Sequence, residues 1–185
     1  MSLKVLAFVG SLRKGSFNKL ALRAAMELKP ADMDIEVFDI SPIPVYNEDV
    51  REQGFPPVVE SFREKIRKAD ALLIVTPEYN YSMPGVLKNA IDWASRPPDQ
   101  PFYDKPAAIM GASGSILGTA RAQYDLRRSC VFLNMHLVNK PEVMIAMAHT
   151  KFDASGRFTD EMGRKLITEL LVNLAAWSRR LAKGK

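Results

Sequence analysis

The chain is 185 residues long, 47% hydrophobic and 25% charged, with a formal net charge of +5 and a single cysteine. That length suits one α/β domain over residues 1–185 with a core of its own, and a lone cysteine excludes a small fold held by internal disulfides. No stretch approaches the ~20 apolar residues of a membrane span. The basic residues cluster only at Arg179, Arg180, Lys183 and Lys185, where they offset a helix dipole, so neither a membrane nor a nucleic acid is an expected partner.

Lys4 to Val9 is an apolar run closing on Gly10-Ser11-Leu12-Arg13-Lys14-Gly15-Ser16-Phe17-Asn18. The run is too short for a signal-peptide core and no small-residue cleavage site follows it, so a cytoplasmic protein is expected, in keeping with the lone thiol. Phe17, Leu20, Ala21, Ala24, Ala25 and Leu28 then repeat at helical spacing until Pro30. Strand, Gly/Ser loop and helix together read as a phosphate cradle. The helix N-terminus offers N–H groups and partial positive charge, Ser11, Ser16 and Asn18 are neutral donors, and Arg13 is able to fork onto an anion. The spacing from Gly10 to Gly15 approaches that of a triphosphate-binding loop, but Ser16 stands where that loop needs its lysine. The dinucleotide fingerprint G-x-G-x-x-G is absent as well, which leaves a monophosphate as the expected guest.

Met33 to Asp39 alternates as a strand nearer the sheet edge. Prolines at 42, 44, 56 and 57 punctuate a long loop before a helix marked by Val58, Val59, Phe62 and Ile66. Ala71 to Val75 is a continuous apolar run, as in a strand covered on both faces, and Pro77 ends its pairing after Thr76. Ser82 is a predicted N-cap and Pro84 a first-turn residue of the next helix, whose inner face is Val86, Leu87, Ala90, Ile91 and Ala94. Between strand and helix, Glu78, Tyr79, Asn80 and Tyr81 offer two aromatic rings and successive backbone donors to a flat heteroaromatic ligand.

A fourth strand, Pro106 to Met110, runs into a third loop with glycines at 111, 114 and 118, where the backbone is free to approach a ligand. Ala122, Leu126, Cys130 and Leu133 share a helix face, so Cys130 reads as a packed thiol rather than a nucleophile. Leu137-Val138 and Val143 to Ile145, interrupted by Pro141, supply a fifth strand. Thr159 to Leu181 is the last helix, with Leu166, Leu170, Leu174 and Leu181 inside. His136 and His149 fall outside the three loops, and no metal-ligand spacing appears.

Strands alternating with helices imply a parallel sheet with right-handed crossovers, and the five-strand solution is flavodoxin-like, of order 2-1-3-4-5 with helices on both faces. Ligands of such sheets bind at the carboxyl ends where the winding reverses. The three loops follow strands 1, 3 and 4 and so fall side by side there. A ligand with a phosphate at one end and a flat ring at the other is expected, and FMN fits.

Three motifs carry a family resemblance: G-S-L-R-K-G-S-F-N at Gly10 to Asn18, P-E-Y-N-Y-S-x-P-G-x-L-K-N-A-I-D-W at Pro77 to Trp93, and R-A-Q-Y-x-L-R at Arg121 to Arg127. They resemble the NADPH-dependent FMN reductases, and most of all the bacterial soluble quinone and chromate reductases. The resemblance implies FMN as cofactor and NAD(P)H as co-substrate, with quinones, chromate, azo compounds or free flavin as acceptors. It implies that Ser11, Arg13, Gly15, Ser16, Phe17 and Asn18 hold the phosphate and ribityl chain, and that Pro77, Glu78, Tyr79, Asn80, Tyr81 and Ser113 surround the ring. It also implies a homodimer, or a tetramer through the region of Arg121, Tyr124 and Glu142. Flavin carries the chemistry in such proteins, so no catalytic acid, base or nucleophile is expected of the chain. The rival reading is a flavodoxin-type electron carrier without NAD(P)H oxidation of its own. Such carriers are usually acidic, whereas this chain is basic and lacks their Thr-rich phosphate loop.

Overall fold

The structure is a computed structural model that describes residues 2–183. Strands β1 (Leu3–Val9), β2 (Met33–Phe38), β3 (Ala71–Val75), β4 (Pro106–Ala112) and β5 (His136–Leu137) pair in parallel in the order β2-β1-β3-β4-β5, and β6 (Val143–Ile145) also pairs with β4. This is the expected flavodoxin-like winding with one more strand. The predicted fifth strand is two short ones, because Pro141, with no N–H to give a ladder, lies between them. β5 pairs near the start of β4 and β6 near its end.

Helices α1 (Phe17–Leu28), α2 (Glu48–Glu52), α3 (Pro57–Lys68), α4 (Gly85–Ala94), α5 (Ala120–Phe132) and α6 (Glu161–Ala182) complete the chain. The short α2 lies in the proline-punctuated stretch read as loop, where Asn47 caps it through the Asp49 amide. α1 and α6 bury Ala21, Ala25, Ile167, Leu171 and Leu174 against Val5, Ala7, Leu73 and Val75. α3, α4 and α5 bury Phe62, Leu87, Trp93 and Leu126 against Leu6, Phe8, Leu72 and Ile74 on the other face. Successive residues of β1 and β3 thus serve opposite layers, which is why their sequences are apolar without alternation. Each large side chain buried this way contributes about 1.5–3 kcal/mol relative to exposure.

Two polar fastenings shape the periphery. Trp93 Nε1 and Asn89 Nδ2 both donate to the Pro44 carbonyl at 2.8 Å, and Asn89 Oδ1 accepts the Tyr46 amide, which seats the proline-rich stretch on α4. Arg63, almost wholly buried, donates to the carbonyls of Ala94, Arg96 and Asp99 and lies over the Phe55 ring. Cys130 is buried as expected, and that burial pushes its thiol up to about 12, so it stays protonated and inert at neutral pH. Among the described residues no helix is long and apolar enough to cross a membrane.

Candidate functional site

β1, β3 and β4 are neighbours and parallel, so their three following loops emerge at one end of the sheet. The Gly10 amide continues the ladder onto the Val75 carbonyl, and the Thr76 amide continues it onto the Met110 carbonyl. Gly111 is a glycine for a physical reason, since a Cβ there would lie 2.1 Å from the Thr76 carbonyl oxygen and 2.4 Å from Thr119 Oγ1.

In the first loop, Ser16 caps α1 by accepting the Asn18 amide at 3.2 Å, and no acidic residue sits in the first turn. The positive end of the helix is therefore uncompensated. Arg13 is exposed and has no partner among the described residues, while Ser11 is buried and Gly15 faces open space. Phe17 is half-buried and stacks on Phe152, with ring centroids 5.8 Å apart. Asn18 is committed to the scaffold: Nδ2 donates to the Ala112 carbonyl and Oδ1 accepts the Ala112 amide, both at 2.8 Å. One amide hydrogen and one carbonyl lone pair are all that this side chain keeps for a guest.

The second loop is a two-residue reverse turn. Tyr79 and Ser82 exchange both backbone hydrogen bonds at 3.0 Å, and Asn80 and Tyr81 between them have φ of 49° and 69°. These are the dihedral signs of a type I′ hairpin turn, in which asparagine is at ease and a tyrosine costs on the order of 1 kcal/mol or more. The turn leaves Tyr79 and Tyr81 exposed, whereas Pro77 is buried at its base. Ser82 is not the N-cap it was predicted to be. Its amide and carbonyl are spent in the turn, its hydroxyl donates to Asp125, and α4 begins at Gly85 with Pro84 in the cap position.

Glu78 faces α5 rather than open solvent. Its Oε2 accepts the amides of Arg121 at 2.9 Å and Ala122 at 3.1 Å, supplying the cap that the Thr119 side chain does not. A carboxylate on a helix N-terminus is favoured by both the free amides and the dipole.

The third loop begins at Ser113, half-buried, whose amide donates to the Ile145 carbonyl and whose hydroxyl accepts the Ser115 amide at 3.2 Å. Gly118 has φ of 61° and packs on the Met144 carbonyl, a position closed to other residues. Residues 114–117 are exposed. His149 was read as outside the loops, yet its Nδ1 comes within 3.9 Å of where a Gly114 Cβ would stand, because the chain after β6 folds back along this loop. The residues expected at a subunit boundary are engaged within one chain: Tyr124 donates to Glu142 Oε1 at 3.0 Å, and the Arg121 guanidinium lies 3.6 Å from the Tyr81 ring centroid.

A sequence model of the NADPH-dependent FMN reductase family matches residues 3–150, which include all three loops. An NAD(P)H-dependent FMN reductase of Pseudomonas aeruginosa is 63% identical over 179 residues, 97% of each chain. The chain belongs to the NADPH-dependent FMN reductase family. Within reach of that family are a 2-hydroxy-1,4-benzoquinone reductase of a Burkholderia species, 46% identical over 180 residues (97% of this chain, 98% of the relative), and a solved NAD(P)H:(acceptor) oxidoreductase of Paracoccus denitrificans. The latter is a flavoenzyme 34% identical to this chain, with a TM-score of 0.88 over 96% of this chain and 98% of its own.

In this FMN reductase family member the sequence placed Arg121 only at a subunit boundary and did not single out Asp125. Arg121 and Asp125 stand one helical turn apart on α5 and both meet the tyrosine turn. Their i, i+4 spacing was visible, but the turn they meet lies about forty residues earlier.

The Asn18 clamp is directly testable. Asn18→Ala removes two buried hydrogen bonds and strands the Ala112 amide and carbonyl, which together cost about 3 kcal/mol. For a chain of this size that lowers the melting temperature by roughly 6–12 °C. An unchanged melt of the ligand-free protein would mean that the tie between first loop and β4 carries no weight.

Proposed function

We propose that the chain is an FMN-dependent NAD(P)H oxidoreductase that passes two electrons to quinones or similar acceptors by a ping-pong mechanism. Chromate, azo compounds and free flavin are further acceptors in the same class of open-site oxidants. The observation that carries the reading is the polarity of the rim. An exposed arginine with no partner among the described residues lies at one end, beside a helix N-terminus with no acidic residue in its first turn, and two exposed tyrosines on a clamped turn lie at the other. That arrangement fits FMN, phosphate to the first loop and ring to the second.

The proposed holders of the phosphate and ribityl end are Ser11, Arg13, Gly15, Ser16, Phe17 and Asn18. Those of the ring end are Pro77, Glu78, Tyr79, Asn80, Tyr81 and Ser113. Arg13 supplies charge and the α1 amides supply donors, while Asn18 and Glu78 act mainly by fixing the loops to β4 and α5. When bound, FMN supplies the redox chemistry, a hydride taken from the nicotinamide and two electrons handed on. The protein binds and orients, and the names of its relatives, NAD(P)H-dependent FMN reductase and 2-hydroxy-1,4-benzoquinone reductase, support FMN, NAD(P)H and a quinone as the reacting molecules.

We further propose a cytoplasmic homodimer at least. The tyrosine turn stands on a shallow rim, Val45 in the proline-rich stretch is 87% exposed, and closed two-fold dimers are the commonest way to cover such a surface. Tyr124, also exposed, and Glu142 would extend the pair to a tetramer, with Arg121 at its margin.

Because donor and acceptor need the same exposed face, steady-state rates over a wide range of NADPH and quinone should give parallel double-reciprocal lines. Intersecting lines would require a ternary complex, and no NADPH oxidation at all would favour the electron carrier. Arg13→Ala should weaken FMN binding by about 1.5–3 kcal/mol, roughly tenfold to 150-fold, and leave riboflavin almost unaffected. Calorimetry showing equal losses for both would put Arg13 elsewhere. Light scattering across a dilution series should read a dimer or larger at micromolar concentration, and a fully active monomer there would end the assembly proposal.

A further inference from the structure

The tyrosine turn adopts a conformation that its sequence resists. Both central residues are left-handed, neither is glycine, and Tyr81 is 70% exposed, so burial of the ring does not hold it there. What holds it comes from the first two turns of α5. Glu78, just before the turn, accepts the Arg121 and Ala122 amides, and Ser82, at its end, donates to Asp125. Between these two ties lies the Arg121 side chain. Its Cζ is 3.6 Å from the Tyr81 ring centroid, and its Nε is 3.0 Å from Glu78 Oε1. That second contact is a charge contact rather than an aligned hydrogen bond, and Nε is buried without a hydrogen-bond partner. A planar guanidinium is able to lay a face on an aromatic ring while its edge meets a carboxylate, which a lysine ammonium is not.

We infer that Arg121 is a positioning residue for the flavin ring site: sandwiched between the Tyr81 ring and the Glu78 carboxylate, it locks the left-handed turn in place. It thereby fixes where Tyr79, Asn80 and Tyr81 meet the ring. The inference rests on the FMN reading above. It assigns Arg121 an office inside its own chain, whereas the resemblance had placed this residue at a subunit boundary.

The test has a ligand-free arm and a binding arm. In the full-length protein without FMN, Arg121→Gln should speed hydrogen exchange of the Tyr79 and Ser82 amides, the two that close the turn, by about tenfold, with exchange in β1 and β3 unchanged. Arg121→Lys keeps the charge and loses the planar face, so it should behave like Arg121→Gln. In the binding arm, Arg121→Gln should weaken FMN about tenfold. A Tyr81→Gly background, where Asn-Gly suits the turn without help, should shrink that loss to about twofold or less. Unchanged exchange in Arg121→Gln, or full rescue by Arg121→Lys, would overturn the clamp. An undiminished tenfold loss in the Tyr81→Gly background would mean that Arg121 acts on the ligand directly, and a change confined to assembly size by light scattering would return it to a subunit boundary. If the unmutated chain binds no FMN, the functional reading fails, while the exchange arm still decides the clamp.

Discussion

The constraint on which everything else depends is that β1, β3 and β4 are parallel and covered on both faces. All five residues of β3 and all seven of β4 are buried. A strand in that position has no free face on which to carry a polar side chain at tolerable cost. Chemistry is therefore displaced to the ends of the strands. Because parallel neighbours all end on the same side, three consecutive strands in space deliver three loops to one rim. The site follows from the covered sheet rather than from any one motif.

Loops at a rim are free to drift unless something ties them, and here polar side chains do so. Asn18 reaches across from the first loop to complete the ladder at Ala112, in the manner of one more strand residue. Glu78 reaches from the second loop to the N-terminus of α5, which leads out of the third. Each tie uses a side chain of a residue that the sequence assigned to the ligand and spends it on the protein. What faces outward is then backbone, hydroxyl, aromatic ring and the cations of Arg13, Lys14 and Lys19. A set of that kind is suited to recognising shape and phosphate.

This division explains how far the sequence could be read. The continuous run at Ala71 to Val75, the helical stripe at Leu87, Ala90 and Ile91, and the glycine and serine loop before Phe17 are local patterns whose periods state their burial. Fold and rim were legible from them. Ser82 looked like an N-cap because that residue type and spacing usually mean one, but its hydroxyl bonds Asp125, forty-three positions on. Glu78 as the cap of α5 is equally remote in sequence, as are the partners of Asn18 and Arg121. The break between β5 and β6 was signalled by Pro141, but joining its flanks into one strand ignored the missing donor. α2 was hidden because five residues are too few to show a helical period.

Openness and charge together bear on the chemistry the rim favours. Tyr79 and Tyr81 are 51% and 70% exposed, so a planar guest at the ring end would remain accessible from solvent. A one-electron carrier gains by shielding its cofactor, whereas an enzyme that must admit a nicotinamide and then an acceptor gains by leaving a face bare. Arg13, Lys14 and Lys19 are exposed around the first loop of a chain with net charge +5. A positive field of that kind concentrates an anionic dinucleotide at the rim and gives an uncharged quinone no advantage. On the proposed reading, electrostatics favours the anionic electron donor, as it does an anionic acceptor such as chromate, and stacking selects the uncharged quinones. A surface of this construction is therefore discriminating toward what it oxidises and permissive toward what it reduces.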